Sequence, residues 1–343
     1  MKAAVMHEFG DPSVLHYEDV PKPTPGPRDA LVKVAAVSVN NRDLRVRAGT
    51  YNTKPALPHV LGWDPAGTVV EVGRDVTSLT EGSRVVYTGR IPCGKCSDCV
   101  AGRVAECKRS QQLGLDRWGA YAEYVCVPAT NLLSIPENLS FAEASVIFRH
   151  FPQAFSLLEH TAGVQAGEWV LVMGAAGALG SCLVQVGKLL GATVIAGAGS
   201  DERVANCLIN GADFAVNYRT VDLGAEVMRL TEGRGVEVVT ENIGDPEIWP
   251  GAFGSLARSG RLVTVGAHGG GVVALDLNQL YLKSLRIIGT AGSTPRDVER
   301  TFTAAAEGRI RAVVAKEIPL DEAAEAHRLV ESRAVTGKVL LVP

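Results

Sequence analysis

Apolar and polar residues alternate with two different rhythms along this chain. Over the first 130 residues the apolar positions come in short runs, MKAAVMHEF, ALVKVAAVSV, AGTVVEVG and SRVVY, parted by turn-rich stretches such as PKPTPGPRD. Runs of this length bounded by Pro, Gly and Asp predict β-strands, and their spacing predicts a partly closed, barrel-like β domain. From about Trp169 the texture changes to EWVLVMG, a helical stretch through CLVQVGKLLG, ATVIAGAG, a helix through ERVANCLING, FAVNY, a helix through LGAEVMRLTEG, then VEVVTENIG, GRLVTVGA and LRIIGTAG. Strands alternating with helices predict right-handed βαβ units on a parallel sheet buried on both faces, a doubly wound α/β nucleotide-binding domain. Beyond Ser293, a helix through DVERTFTAAAEG and a closing strand GKVLLVP are expected to return to the first domain.

Composition adds mainly exclusions. With 343 residues, 46% hydrophobic and 21% charged, 37 glycines and 17 prolines, the chain is ordinary globular protein of two-domain length. A net charge of -3 from 34 basic and 37 acidic residues, without a Lys/Arg run, gives no electrostatic support for a nucleic-acid partner. Trp169 to Gly187 is uncharged and long enough to span a bilayer, yet Gly174, Gly177 and Gly180 break it up and VLV reads as a strand, so no membrane role is expected. The N-terminal MKAAVMHEFGDPSVLHYEDV meets acids and prolines before any apolar core, unlike a signal or transit peptide, which makes the cytoplasm the expected location.

Two motifs carry chemistry. After the strand Trp169 to Met173 comes GAAGALG, with Ala175, Gly177 and Gly180 at the three positions of the dinucleotide fingerprint and Ala178 and Leu179 opening the helix. A missing side chain at Gly177 lets a pyrophosphate approach the helix N-terminus, where unpaired N–H groups and the dipole favour anions, and Gly180 lets helix and strand pack closely. The next strand ends in AGAGSDERV: Ala198, Gly199 and Ser200 place no carboxylate at its tip and Arg203 follows, while the acids Asp201 and Glu202 close by weigh the other way. A 2′-phosphate is attracted by such an arginine and repelled by a carboxylate, so NADPH is expected over NADH. The second motif is Cys93, Cys96, Cys99 and Cys107, four of the seven cysteines within fifteen residues. Four thiolates satisfy tetrahedral zinc and leave no open position, which makes such a site structural; an iron–sulfur site would draw on the same ligands.

These stretches, together with SVNNRDLRVRAGTY, LPHVLGWDPAGTVVEVG, GAYAEYVCVPATNLLSIPENLSFAEAS and TGKVLLVP, make the chain resemble the medium-chain dehydrogenase/reductase superfamily over nearly its whole length. The resemblance implies a β-rich GroES-like catalytic domain from residues 1–150 and 291–343 around a Rossmann domain at 151–290. It implies one structural zinc, and places Tyr218 and Ser200 near the adenosine phosphate, Gly266 and Lys338 at the cofactor, and a homodimer or homotetramer paired along the LRIIGT edge strand.

The departures from the family pattern decide the chemistry. Zinc-dependent members place Cys, His and Glu where this chain has Asn40, Trp63 and Asp64, and a third ligand where it has Arg149. Of these only Asp64 is an ordinary zinc ligand, so the catalytic zinc is expected to be absent; a shifted site built from His59, Asp64 and His150 is the alternative. Without a Lewis acid, an activated alkene or quinone is an easier hydride acceptor than an unactivated alcohol or aldehyde. The zinc-independent reductases that SVNNRD resembles then imply Asn40 as donor to the substrate carbonyl, with Tyr51 lining the pocket. Arg149 would stabilise the developing oxyanion or clamp an anionic group, its other reading being an ion pair with Asp64 or a solvent-facing side chain. A zinc alcohol dehydrogenase with relocated ligands and a non-catalytic NADPH-binding protein are the competing functions.

Overall fold

The computed structural model describes residues 1–290, 292–332 and 335–343, which form two compact units: Met1–Arg149 with Ala305–Pro343, and His150–Ala304. The first segment carries strands β1 (Lys2–Met6), β2 (Leu15–Asp19), β3 (Asp29–Ser38), β4 (His59–Val60), β5 (Pro65–Val72), β6 (Arg84–Tyr87), β7 (Tyr124–Pro128) and β8 (Leu132–Ser134). Between them lie the short helices α1 (Asn41–Arg47) and α2 (Ser97–Val100), and the segment runs on into α3 (Phe141–Phe155). In β3, DALVKVAAVS is buried nearly throughout, with Lys33 the one exposed residue, as befits a central strand paired on both sides.

The second unit follows with a π-helical turn at Ser156–Thr161, then β9 (Trp169–Met173), α4 (Ala178–Leu189), β10 (Thr193–Ala198), α5 (Asp201–Ile209), β11 (Phe214–Asn217) and α6 (Leu223–Leu230). It continues through β12 (Val236–Glu241), α7 (Trp249–Gly254), β13 (Leu256–Thr264), α8 (Leu277–Leu282), β14 (Arg286–Gly289) and α9 (Pro295–Ala306). Its six strands are all parallel in the order β11-β10-β9-β12-β13-β14, so the direction of winding reverses between β9 and β12. Ligands of open α/β sheets bind at such a switch point, beyond the carboxyl ends of the strands. Leu171, Met173, Ile195, Val239 and Leu262 belong to one continuous buried cluster of this unit, as expected of strands covered on both faces.

The segment 291–304 falls with the second unit, not with the β-rich one as the sequence reading had it; residue 291 itself lies outside the described residues. Ion pairs explain the placement. His160 Nδ1 sits 2.6 Å from the fully buried Asp297, and Arg300 Nε donates to Glu159 at 3.1 Å, so α9 is tied to the π-helical turn of its own unit.

The chain then returns through β15 (Val314–Pro319), α10 (Ala323–Glu331) and β16 (Lys338–Val342). β16 pairs antiparallel with β3, Leu340 opposite Ser38, and completes a seven-stranded sheet β15-β16-β3-β5-β6-β8 in which β7 also pairs with β3. A separate sheet β2-β1-β4 closes the other side. Helix α10 brings a buried polar chain with it. Arg47 donates to the Gly10 carbonyl at 3.1 Å and to His327 Nδ1 at 3.1 Å, and pairs with Glu331. Because arginine only donates, Nδ1 accepts, and Nε2–H donates to Tyr121 Oη at 3.2 Å. Burial, with the Arg47 charge adding to it, lowers the His327 pKa to about 3, so the ring is neutral in the fold.

Candidate active site

Asp64 is the hub of the β-rich unit's polar site. It precedes β5 and is only 3% exposed, a position in which a carboxylate without partners would be strongly destabilising. Its Oδ2 accepts from Ser38 Oγ at 2.9 Å, at the end of β3, and from Asn40 Nδ2 at 2.7 Å. Asn40 stands where the chain turns into α1, its backbone N–H on Asp43 Oδ2 at 3.0 Å, which fixes the turn and the side chain with it. The second amide hydrogen of Asn40 goes to the Ser38 carbonyl at 3.1 Å, and its Oδ1 accepts from Lys338 Nζ at 2.7 Å. Asp64 Oδ1 is left to Arg149, whose Nε lies 3.4 Å away in an ion-pair contact.

Two guanidinium groups share one indole here. Arg42 Cζ lies 3.4 Å and Arg149 Cζ 4.5 Å from the Trp63 ring centroid, both within cation–π range. Arg42 is spent on Gln112 Oε1 at 3.1 Å and the Leu113 carbonyl at 2.7 Å. Arg149 differs: its side chain is 32% exposed, and among the described residues nothing hydrogen-bonds its terminal nitrogens. Burial raises the pKa of Asp43, opposed by the Arg42 charge, and lowers that of Arg42, opposed by the Asp43 and Asp64 charges. The site is therefore rich in cations, with Arg149 held from behind and its outer donors open.

Two residues expected at the substrate or the cofactor are tied to partners inside the β-rich unit. Asn40 is 8% exposed and both its N–H bonds are committed inside the protein, so it has no free donor for a substrate carbonyl. Lys338, expected at the cofactor, is 5% exposed, with Nζ on the Val39 carbonyl at 2.7 Å as well as on Asn40. The register of β16 on β3 puts it there. Tyr51 is half-buried against the β-rich core, with Arg45 5.7 Å from its ring.

In the second unit, Gly174 rather than Ala175 makes the tight turn after β9, with φ at +65°, while Ala175 is buried and its N–H donates to the Gly197 carbonyl at 3.0 Å. A Cβ on Gly180 would run into the Gly174 carbonyl oxygen, so that position admits only glycine. Gly177 caps α4 without a side chain, which leaves the first N–H groups of the helix, at Ala178, Leu179 and Gly180, open to an anion. At the tip of β10, Ser200 caps α5, Tyr218 packs on Gly199 at 3.1 Å from where a Cβ would stand, and the Asp201 carboxylate accepts from Asn217 at 2.7 Å. Gly266 follows β13, its carbonyl accepting from Thr264 Oγ1 at 3.2 Å. Sequence reading passed over Glu241, which ends β12: its buried carboxylate accepts from the N–H groups of Ile243 and Gly244, although burial still raises its pKa. Only the topology, which sets the end of β12 beside the switch point, reveals it.

The cysteine lobe is a second polar centre. Sγ of Cys93, Cys96, Cys99 and Cys107 all lie within 4.8 Å of one another, with Cys93–Cys99 at 3.9 Å and Cys96–Cys107 at 3.8 Å. At zinc–sulfur bonds of about 2.3 Å, the edges of a tetrahedron are about 3.8 Å, so the spacing fits zinc. Cys107 Sγ accepts from the Cys93 N–H at 3.3 Å and Cys96 Sγ from the Cys99 N–H at 3.5 Å, the hydrogen bonds of a thiolate knuckle. The Lys95 N–H foremost lowers the Cys93 thiol to about 6, whereas burial, then the neighbouring sulfurs, raise Cys99 to about 12. A divalent cation removes that conflict by allowing all four to ionise. Among the described residues this quartet is the one group of three or more His, Cys, Asp or Glu whose ligand atoms come together.

Comparison with known proteins identifies the family. Residues 26–137 match the alcohol dehydrogenase GroES-like domain, and residues 178–307 match the zinc-binding dehydrogenase family. The chain is 33% identical to an NAD-dependent alcohol dehydrogenase of Sulfolobus acidocaldarius, covering 99% of both, and 33% identical to quinone oxidoreductase-like protein 2 of Bos taurus, covering 99% of this chain and 92% of that one. A solved structure of an NAD-dependent alcohol dehydrogenase superposes with a TM-score of 0.94 at 39% identity, covering all of both chains. No helix among the described residues is long and apolar enough to cross a membrane. With a GroES-like β domain, a parallel dinucleotide-type sheet and relatives of both kinds, the chain belongs to the medium-chain dehydrogenase/reductase superfamily and is a nicotinamide-dependent oxidoreductase.

Proposed function

We propose that the enzyme is a reductase of activated alkenes or quinones that uses NADPH and works without a catalytic metal. The observation that carries the reading is the Arg149 guanidinium on Asp64, with the other positions of a catalytic zinc taken by Asn40 and Trp63. Asn and Trp do not ligate zinc, the Asp64 oxygens are engaged, and a fixed guanidinium repels a divalent cation.

Bound reduced nicotinamide supplies the hydride. When it reaches the β-carbon of an enone or enoyl thioester, the C=C π pair shifts and charge develops on the carbonyl oxygen, which needs donors already in place. The terminal N–H groups of Arg149 are such donors, oriented by Asp64 and by the face of Trp63. For the cofactor, Gly174, Gly177 and Gly180 leave room for a pyrophosphate, and no carboxylate closes the tip of β10, since Asp201 is turned to Asn217. Ser200 and Arg203 then face the 2′-phosphate. The cysteine quartet holds one structural zinc.

Assembly through β14 is part of the same proposal. This edge strand exposes Ile287, and the adjacent α8 exposes Leu277, Tyr281 and Leu282, a face suited to pairing with a second copy. Light scattering at micromolar concentration giving a dimer or tetramer supports it, and a monomer rejects it.

The activity test is Arg149→Met, which keeps the aliphatic stem and removes the charge. Against a quinone, an enone and an enoyl-CoA, kcat is expected to fall about 100-fold with NADPH affinity unchanged. Unchanged turnover of every accepted substrate would reject the role.

A further inference from the structure

We propose that Lys338 is a positioning residue for Arg149, acting through Asn40 and Asp64, and is not a cofactor anchor. Its catalytic consequence rests on the reductase reading above.

The four side chains form one chain of contacts, Lys338 Nζ to Asn40 Oδ1 at 2.7 Å, Asn40 Nδ2 to Asp64 Oδ2 at 2.7 Å, and Asp64 Oδ1 to Arg149 Nε at 3.4 Å. An asparagine amide has one accepting and one donating end of almost the same shape, so something must decide which way it faces. Here an ammonium holds the oxygen. Turning the amide over would set its NH2 against Lys338 and its oxygen against the Asp64 carboxylate, exchanging two charge-assisted hydrogen bonds for two repulsive contacts.

The orientation of Asn40 then determines what Asp64 can offer. With Oδ2 occupied by Asn40 Nδ2 and Ser38 Oγ, a single oxygen remains for Arg149, and it meets Nε. That arrangement leaves both terminal nitrogens of the guanidinium outward. If Asn40 let go, Oδ2 would keep only the Ser38 hydroxyl and could accept a second nitrogen of Arg149, giving the bidentate pair that arginine and carboxylate favour. Terminal donors would be drawn inward, away from the oxygen they are meant to serve. The lysine is well placed to prevent this, since the Val39 carbonyl also holds its ammonium at 2.7 Å and only 5% of the residue is exposed.

The experiment compares Lys338→Met, Lys338→Arg and Asn40→Leu in the full-length, zinc-loaded protein, with three readouts. These are the NADPH Kd from cofactor fluorescence, kcat and KM with the best enone or quinone, and the rate at which phenylglyoxal modifies Arg149, followed by peptide mass spectrometry. In Lys338→Met, kcat is expected to fall about tenfold, with KM and the NADPH Kd within about twofold of wild type and Arg149 labelling several-fold slower. Lys338→Arg, which keeps a donor cation, is expected to recover much of the labelling rate and of kcat. Asn40→Leu is expected to reproduce the Lys338→Met pattern, and the double variant to be no worse than either single one. It also carries the test if Lys338→Met does not fold. A rise of about tenfold or more in the NADPH Kd with kcat preserved would assign Lys338 to the cofactor and overturn the proposal. So would labelling of Arg149 that does not change in any variant. If the wild type reduces no acceptor, the reductase reading fails, while labelling and NADPH affinity still decide the role of Lys338.

Discussion

The cysteine lobe and the Asp64 cluster sit in the same unit and face the same electrostatic problem, anionic side chains drawn close together, but they answer it differently. In the lobe, four sulfurs lie at tetrahedral spacing, and hydrogen bonds from backbone N–H groups alone leave Cys93 and Cys99 pulled in opposite directions. A divalent metal would satisfy all four. Around Asp64 the positive charge is part of the protein, with Arg149 in direct contact and Lys338 one amide away. The first centre would gain rigidity from an ion with no open coordination position. On the proposed reading, the second has a guanidinium with open donors in place of an ion with an open position, which would keep a site for an oxyanion while giving up Lewis acidity.

Breaking the lobe is the largest perturbation. Cys107→Ser is expected to reduce zinc from one per chain to none and to cost on the order of 5 kcal/mol of local stability, read as new proteolytic cleavage between residues 93 and 107. Retained zinc in that variant would refute the assignment. Arg149→Met comes next, with the loss of about 100-fold in kcat given above, or about 2.7 kcal/mol of transition-state stabilisation, and no change in zinc content. The two variants should therefore separate stability from chemistry.

A smaller effect concerns the cofactor. Arg203→Ala is expected to weaken NADPH by about 1 to 3 kcal/mol while leaving NADH nearly unchanged, measured by titration of each nucleotide. Equal affinity of the wild type for both would remove the basis for NADPH.

The smallest concerns pH. His327 is neutral and buried in the fold, with a pKa of about 3, against 6.5 for the free side chain. Between those values the unfolded chain binds a proton that the native chain does not, so stability falls as pH drops from about 6.5 toward 3, by at most about 1.4 kcal/mol per unit from this group. His327→Gln, which offers an acceptor to Arg47 and a donor to Tyr121, is expected to flatten that part of a denaturation-midpoint profile. A slope identical to wild type would mean that other groups set it.

Local signals made much of this legible in advance. The βαβ alternation from Trp169 onward is dictated by strands that must be apolar on both faces, and the cysteine spacing needs only local chain geometry. Where the sequence misled, the partner was distant. Helix α1 was hidden within NNRDLRVR because Asp43 and Arg47 are buried charges, and the side-chain partners of Arg47, His327 and Glu331, lie 280 residues or more away in α10. Lys338 opens a strand that reads as KVLLV, and only its pairing with β3 shows that the ammonium points to Asn40. Gly174 is legible as a chain breaker, but the fingerprint register falls on the adjacent Ala175, although the positive φ belongs to the glycine.

The central claim, that a guanidinium stands in for the catalytic metal while the structural metal is kept, is tested most directly by counting zinc in active protein. Elemental analysis of the purified enzyme, paired with NADPH oxidation in the presence of an enone or quinone, is expected to give one zinc per chain together with turnover. Two tightly bound zincs per chain, or turnover that appears only when a second is bound, would contradict it.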